Sequence, residues 1–397
     1  MESRRHLDYQ WLHTGAEAMA EMLAAIAKAR RSVRFEVYIF HASSAADQFL
    51  QALVNACKRG VKVRLLVDAF GSMPLPDSFW DVLRASGGEF RRFNPLHLNH
   101  LVFRDHRKIL VCDESVAFVG GLNVAKEYSG DGIETGWRDL GIKIGGSLAG
   151  ELATAFDDMF DAADFKHKPF TRLRKSPVVK AIPIPGGELL LSGPGRDNPI
   201  KSALRDDLKT ARSALIMSGY FLPPWRLRRE LARLARNGGK VQLILPSRSD
   251  IPATLLAAQS FYRRLLAAGV EIYEYQPQIL HAKLFIIDEM TYVGSANFDA
   301  RSLNINYEVM LRFSTPDIAA EAREIFANDL AHCRRLDLKS WRKSRTLWER
   351  IKARAAYLLL ARFDPFVARW QWRRFARYPT SPEPRDNAAT VRPGREI

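Results

Sequence analysis

The sequence has little of what disulfide-built scaffolds or membrane-spanning proteins depend on. Its 397 residues hold three cysteines, Cys57, Cys112 and Cys333. An odd, sparse set excludes a fully paired disulfide framework and fits a reducing compartment. The longest uninterrupted aliphatic or aromatic run, Ala355 to Ala361, falls far short of the roughly 20 residues a spanning helix needs. The first residues, Met-Glu-Ser-Arg-Arg-His-Leu-Asp, contain no apolar stretch of the secretory type, so no leader is expected. No His, Cys, Asp or Glu cluster has metal-ligand spacing, so neither a metal nor a cofactor is called for. Negative charge is in deficit: 60 Lys and Arg face 44 Asp and Glu, a formal net charge of +16. That excess points to an anionic partner, and nucleic acid, acidic lipid and phosphorylated substrates all satisfy it.

What is present is one phrase written twice. His106-Arg-Lys-Ile-Leu-Val-Cys-Asp113 and His281-Ala-Lys-Leu-Phe-Ile-Ile-Asp288 each give a His, a Lys two residues on, four mainly apolar residues and an Asp. The β-branched and long apolar residues predict a buried strand. On a strand His106 and Lys108 share a face, as do His281 and Lys283. Asp113 and Asp288 have the opposite parity and belong at the strand end, facing away, as structural carboxylates completing the motif. With nine histidines in the chain, one such match is expected by chance only about 0.02 times. Each copy is followed by a second phrase, Val119-Gly-Gly-Leu-Asn123 or Val293-Gly-Ser-Ala-Asn297. Glycine allows close backbone approach to a ligand, and Asn123, Ser295 and Asn297 supply donors for phosphate oxygens.

The surrounding chain repeats too. Ala29-Arg30 and Ala211-Arg212, Tyr38 and Tyr220, and Pro95 and Pro277 are each 182 apart, whereas His106 and His281 are 175 apart. Seven extra residues therefore lie between Pro95 and His106. They carry His97 and His100, a candidate substrate-contacting loop whose ordinary reading is exposed loop histidines. Helices are predicted over 15–31, 46–58, 77–85 and about 148–160, and strands over 33–40, 61–67 and 89–93. This alternation argues an α/β fold with a largely parallel sheet. The predicted organisation is a first half over 1–165, a Pro-rich basic linker over 166–185 and a second half over 186–335. A basic amphipathic helical extension over 336–378 and a disordered tail over 379–397 follow.

Two His and two Lys meeting across a pseudo-two-fold can run phosphodiester exchange by double displacement, one imidazole attacking phosphorus and the other managing the leaving and incoming hydroxyls. The paired motifs resemble the phospholipase D superfamily. The flanks Phe35-Glu-Val-Tyr-Ile-Phe40, Arg59 to Asp68, Phe70-Gly-Ser72, Ala117 to Asn123 and Trp137-Arg-Asp139 are similar to bacterial cardiolipin synthases, in their shorter class without N-terminal transmembrane helices. The resemblance covers about residues 10 to 335. It implies two similar α/β sandwich halves with the active site at their interface. It implies a phosphatidyltransferase that carries a phosphatidyl group through a phosphohistidine, with His106 as nucleophile and His281 as general acid/base. Asp139 and Glu308 stand at equivalent places of the repeat, and the resemblance assigns them to orienting the histidines. Departures from it are Cys112, at a usually aliphatic place, and Phe156 to Phe160, where such synthases often have a Trp.

The extension adds twelve basic residues between Lys339 and Arg377 against Glu349 and Asp364. On one helix, Trp341, Leu347, Trp348, Ile351, Ala355, Leu358 and Leu359 would share an arc of about 120°. Packing on the catalytic body and lying on an anionic membrane both suit such a helix. Together these readings predict a peripheral enzyme on the cytoplasmic face of the cell membrane. Its partners are anionic phospholipids and the membrane surface, with neither nucleic acid nor an obligate protein partner expected. A hydrolase, nuclease or other phosphodiesterase of the same superfamily is the alternative.

Overall fold

The computed structural model describes residues 7–94, 103–163, 178–195 and 198–360. The expected loop with His97 and His100, most of the linker and everything beyond 360 lie outside them.

The first half runs β1 (Tyr9–Leu12), α1 (Gly15–Lys28), β2 (Ser32–Val37), α2 (Ser44–Lys58), β3 (Lys62–Asp68), α3 (Asp81–Ala85), β4 (Glu89–Phe93), β5 (Ile109–Cys112), β6 (Val116–Gly120), β7 (Gly141–Gly145) and α4 (Ser147–Asp161). The second runs β8 (Lys180–Ile184), β9 (Gly187–Ser192), α5 (Pro199–Thr210), β10 (Ser213–Ser218), β11 (Phe221–Leu222), α6 (Trp225–Arg236), β12 (Lys240–Pro246), α7 (Pro252–Ala267), β13 (Glu271–Tyr275), β14 (Lys283–Ile287), β15 (Met290–Gly294), β16 (Phe298–Asp299), β17 (Glu308–Phe313), α8 (Pro316–Leu330) and β18 (Cys333–Arg335). Two short helices, α9 (Leu338–Lys343) and α10 (Leu347–Leu358), follow. The predicted helices form within a few residues because their caps are in the sequence. The Thr14 and Ser43 hydroxyls each accept a backbone N–H of the first turn of α1 and α2.

Each half is a mixed sheet, which corrects the largely parallel expectation. The seven-stranded sheet has the order β1-β7-β6-β5-β2-β3-β4, and only β2–β3 and β3–β4 pair in parallel. The alternation of strand and helix ends after β4, and the motif strand β5 enters antiparallel to β2. The second sheet, β18-β13-β12-β10-β14-β15-β17-β9-β8, repeats this with β14 antiparallel to β10. Its outermost strand β8 occupies 180–184, so the end of the expected linker belongs to the second sheet.

The inner faces of the two sheets share one core, in which Ile109, Val111 and Val119 join Leu284, Ile286 and Val293 with Leu152 of α4 and Ile318 of α8. Helices α1 to α3 cover the outer face of the first sheet and α5 to α7 that of the second. Continuous apolar runs such as Ile-Leu-Val-Cys are what a strand covered on both faces requires.

Register revises one pairing of the repeat. Val33 opposes Cys112 while Ala214 opposes Ile287, so β2 and β10 correspond at 181 residues, not 182. Gly219 therefore stands where Tyr38 does, and Tyr220 corresponds to Ile39. Both of these residues give their backbone N–H to the side-chain oxygen of an equivalent asparagine, Asn123 or Asn297. At Glu89 and Glu271, opposite Arg64 and Gln242, the offset of 182 holds.

Candidate active site

His106 and His281 lie just before the motif strands, where the backbones of the two halves meet. His106 donates its backbone N–H to the Tyr307 carbonyl (2.9 Å), and Tyr307 donates to Arg104. In the mirrored arrangement His281 donates to the Arg138 carbonyl (2.7 Å) and Arg138 donates to Ile279. Each histidine is thus tied by backbone to the residue preceding the other half's acid. The side chains follow the same crossing. His106 Nδ1 lies 2.9 Å from Glu308 Oε2 and His281 Nδ1 lies 2.7 Å from Asp139 Oδ2.

The local sequence explains how the acids arrive. Asp139 comes so close to Gly121 that a Cβ there would sit 2.1 Å from Oδ1, so the second glycine of the phrase is a spatial requirement. Ser295 holds the equivalent place in the other half. Its hydroxyl donates to Glu308 Oε2 at 2.5 Å and accepts the Val309 N–H. The Ser295 proton is thus directed at the acid. Asn123 and Asn297 use their side-chain oxygens to hold the backbone after β2 and β10. The Asn123 Nδ2 is buried beside the Tyr128 hydroxyl.

Both lysines are fully buried. Lys108 donates to the His106 carbonyl at 2.7 Å and Lys283 to the His281 carbonyl, with its Nζ 2.9 Å from His281 Nδ1. Asp113 and Asp288 face away. Each sits at positive φ in the hairpin turn beyond its strand and clasps backbone N–H groups, those of Arg30, Arg31 and Ser32 for Asp113 and of Arg212 and Ser213 for Asp288. They fasten the motif hairpin to the neighbouring strand.

Burial sets the electrostatics. It lowers His106 well below the ordinary imidazole range, helped by Lys108 and Lys283. Burial also lowers His281, with Lys283 acting in the same direction and Asp139 opposing. Lys108 is brought down to about 7 and Lys283 to about 8, again by burial. The two acids diverge. Burial lifts Glu308 to about 7 despite Lys108, whereas for Asp139 the attraction of His281 and Lys283 outweighs burial and holds the carboxyl below its usual range.

Three features escaped sequence reasoning. Tyr38 meets the His106 ring edge-on at 4.8 Å. Tyr128 and Trp137 wall His281 at 5.2 and 5.6 Å. Arg138 makes a buried two-point pair with Asp329 of α8, both contacts at 2.7 Å, bracing the turn into Asp139. The Trp-Arg-Asp phrase was the available signal for two of these residues, but nothing near Asp329 marks it as a partner 191 residues away.

The site can be set beside known proteins. A family model described as "Cardiolipin synthase, PLD-like domain" matches residues 22–159 and 204–330. A cardiolipin synthase of Geobacillus kaustophilus is 32% identical over 345 residues, which span 84% of this chain and 68% of that one. One from Clostridium perfringens is 34% identical over 341 residues, 81% of this chain and 70% of that one. Among solved structures, a phosphatidylserine synthase of Haemophilus influenzae superposes with a TM-score of 0.70 at 16% identity over 91% of this chain and 94% of that one, a likeness of fold.

Proposed function

The chain belongs to the cardiolipin synthase family with phospholipase D-like domains, and from that premise we propose that it moves a phosphatidyl group from one phospholipid to a hydroxyl of phosphatidylglycerol. His106 Nε2 attacks phosphorus while its Nδ1–H is held by Glu308. As the phosphorus–oxygen bond breaks, the His281 imidazolium gives its proton to the departing alkoxide, and a phosphohistidine remains. His281, now neutral, takes the proton of the incoming hydroxyl, whose oxygen displaces His106. Lys108, Lys283 and the Asn123 amide neutralise the phosphoryl oxygens.

The observation that carries this reading is the crossed pair of acid–histidine contacts. Their difference supports the assignment of roles. Asp139 opposes the lowering of His281 and so favours its acid form, while burial with Lys108 and Lys283 keeps His106 uncharged, as a nucleophile must be. Lipid substrates imply work at a membrane, and we read the enzyme as peripheral there, on the cytoplasmic face. Thin-layer chromatography of products from purified protein in detergent micelles, given phosphatidylglycerol alone and with phosphatidylethanolamine, tests the function. Cardiolipin with release of glycerol or ethanolamine is expected. Phosphatidic acid as the sole product would make the protein a hydrolase instead.

A further inference from the structure

The predicted single amphipathic helix is two helices broken at Ser344–Thr346, and the break gives them different faces. Thr346 and Glu349 form a reciprocal cap that starts α10 afresh. Trp341 of α9 turns inward against Tyr262, 5.1 Å between rings, so it leaves the predicted arc. On α10, at about 100° per residue, Ala353, Ala356, Tyr357 and Leu360 form the stripe that packs on the second half's outer core.

The opposite side of α10 is apolar and uncovered. Leu347, Ile351 and Leu358 are 72%, 49% and 48% exposed, and Trp348 and Leu359 are 63% and 60% exposed. With Ala355 they span about 120° of the helix surface. Lys352 borders this arc on one side, its Nζ 5.5 Å from the Trp348 ring, and Arg350 and Arg354 border it on the other. A helix that packed only on its own domain would not need an apolar arc facing water with cations along both borders.

The packed stripe is tied to the domain through Arg228 of α6, which donates to the Tyr357 hydroxyl at 3.1 Å. Burying aromatic and aliphatic groups while cations meet lipid phosphates is the physics of an interfacial helix, and both charge sign and apolar arc match an anionic bilayer.

We propose that the exposed arc of α10 is the surface by which the protein docks on anionic phospholipid bilayers, the source of both substrates. The proposal rests on the lipid-transfer reading, yet it can fail separately. The test compares the full chain with a Trp348→Ser, Ile351→Ser, Leu359→Ser triple variant. Co-sedimentation is measured with phosphatidylglycerol-containing vesicles, pure phosphatidylcholine vesicles and duplex DNA. Transfer in detergent micelles and thermal unfolding are measured alongside.

The triple variant is expected to bind anionic vesicles at least tenfold more weakly, with unfolding temperature and micellar transfer unchanged. Vesicle binding that survives the substitutions would overturn the docking face, as would a preference for DNA abolished by the same three changes. Transfer absent from both proteins, with vesicle binding lost only in the variant, would sink the enzymatic reading and leave the docking face standing. A variant with a lowered unfolding temperature would be replaced by Trp348→Ser alone. Full-strength vesicle binding by that single variant would likewise overturn the proposal.

Discussion

Around His106 the first half is polar to its core, whereas the matching positions around His281 are apolar. Glu36, opposite Ile109, corresponds by register to Met217, opposite Leu284. Asp105 and Arg107, flanking His106, correspond to Leu280 and Ala282. Glu36 is buried against Asp105, the two carboxyls sharing a hydrogen bond, and the Nε and Nη1 of Arg107 are without partners. Burial and the neighbouring Asp105 drive Glu36 well above the usual carboxylate range, and burial lifts Asp105 to about 6. His281 instead meets an aromatic wall, Tyr128 and Trp137, and an ionised acid, Asp139, all supplied by the first half. Two copies of one fold have therefore kept the reacting side chains alike and diverged in what surrounds them. Surroundings fix protonation, so near-identical motifs can hold different roles.

The largest effect should come from the histidines themselves. His106→Ala and His281→Ala should each lower lipid transfer by about 10²- to 10⁴-fold. A donor with a leaving group that needs no proton, such as a p-nitrophenyl phosphodiester, should split them. The His281 variant should still build a phosphohistidine detectable by mass, and the His106 variant should not. Accumulation in the His106 variant alone would reverse the assignment.

Next come the orienting acids. Removing the group that holds a functional imidazole typically costs 10- to 100-fold. Asp139→Asn should fall near the upper end and Glu308→Gln near the lower, since only Asp139 is fully ionised at neutral pH. Stability should separate them by sign. Glu308 is raised in the folded state, from 4.5 to about 7, so the native protein holds its proton longer and loses stability as pH climbs between those values, by at most about 3 kcal/mol. Glu308→Gln should therefore gain on wild type across that window. Asp139 is lowered, so its contribution is present above the unfolded carboxyl's range and lost as pH falls. Asp139→Asn should then approach wild type only in acid. Parallel melting curves from pH 4 to 8 that show the same trend for both variants would contradict this contrast.

The smallest change belongs to the buried polar group that the second half does without. Glu36→Met copies the Met217 solution and relieves the crowding of two buried carboxyls. Chemical denaturation should find it within about 1 kcal/mol of wild type, or more stable. A loss above about 2 kcal/mol would mean that the Glu36–Asp105 contact stabilises the fold.

Much of this was legible in the chain. The repeat, the two His-x-Lys pairs, the buried motif strands, the outward-facing Asp113 and Asp288 and most helix bounds follow from local patterns, because side-chain parity and capping are decided within a few residues. The mixed sheet was not legible, since strand direction depends on which neighbour a strand finds rather than on its own residues. Nor was the one-residue register difference that separates Tyr38 from Tyr220, which a shared tyrosine disguised. Sequence likewise shows the Ser295 hydroxyl without showing which atom it faces.

What the sequence determined by itself is the inventory: two imidazoles, two ammonium groups and two carboxylates at equivalent places of a repeat. Only the tertiary structure decided that they cross, with Glu308 serving His106 over 202 residues and Asp139 serving His281 over 142. Likewise, only packing decided that α10 turns Ala353, Ala356 and Tyr357 to the domain and leaves Leu347, Trp348, Ile351 and Leu358 to solvent. The physical reason is common to both. A hydrogen bond or a buried face joins groups close in space, and spacing along a chain that folds back on itself across a pseudo-two-fold does not encode which half's partner will be near.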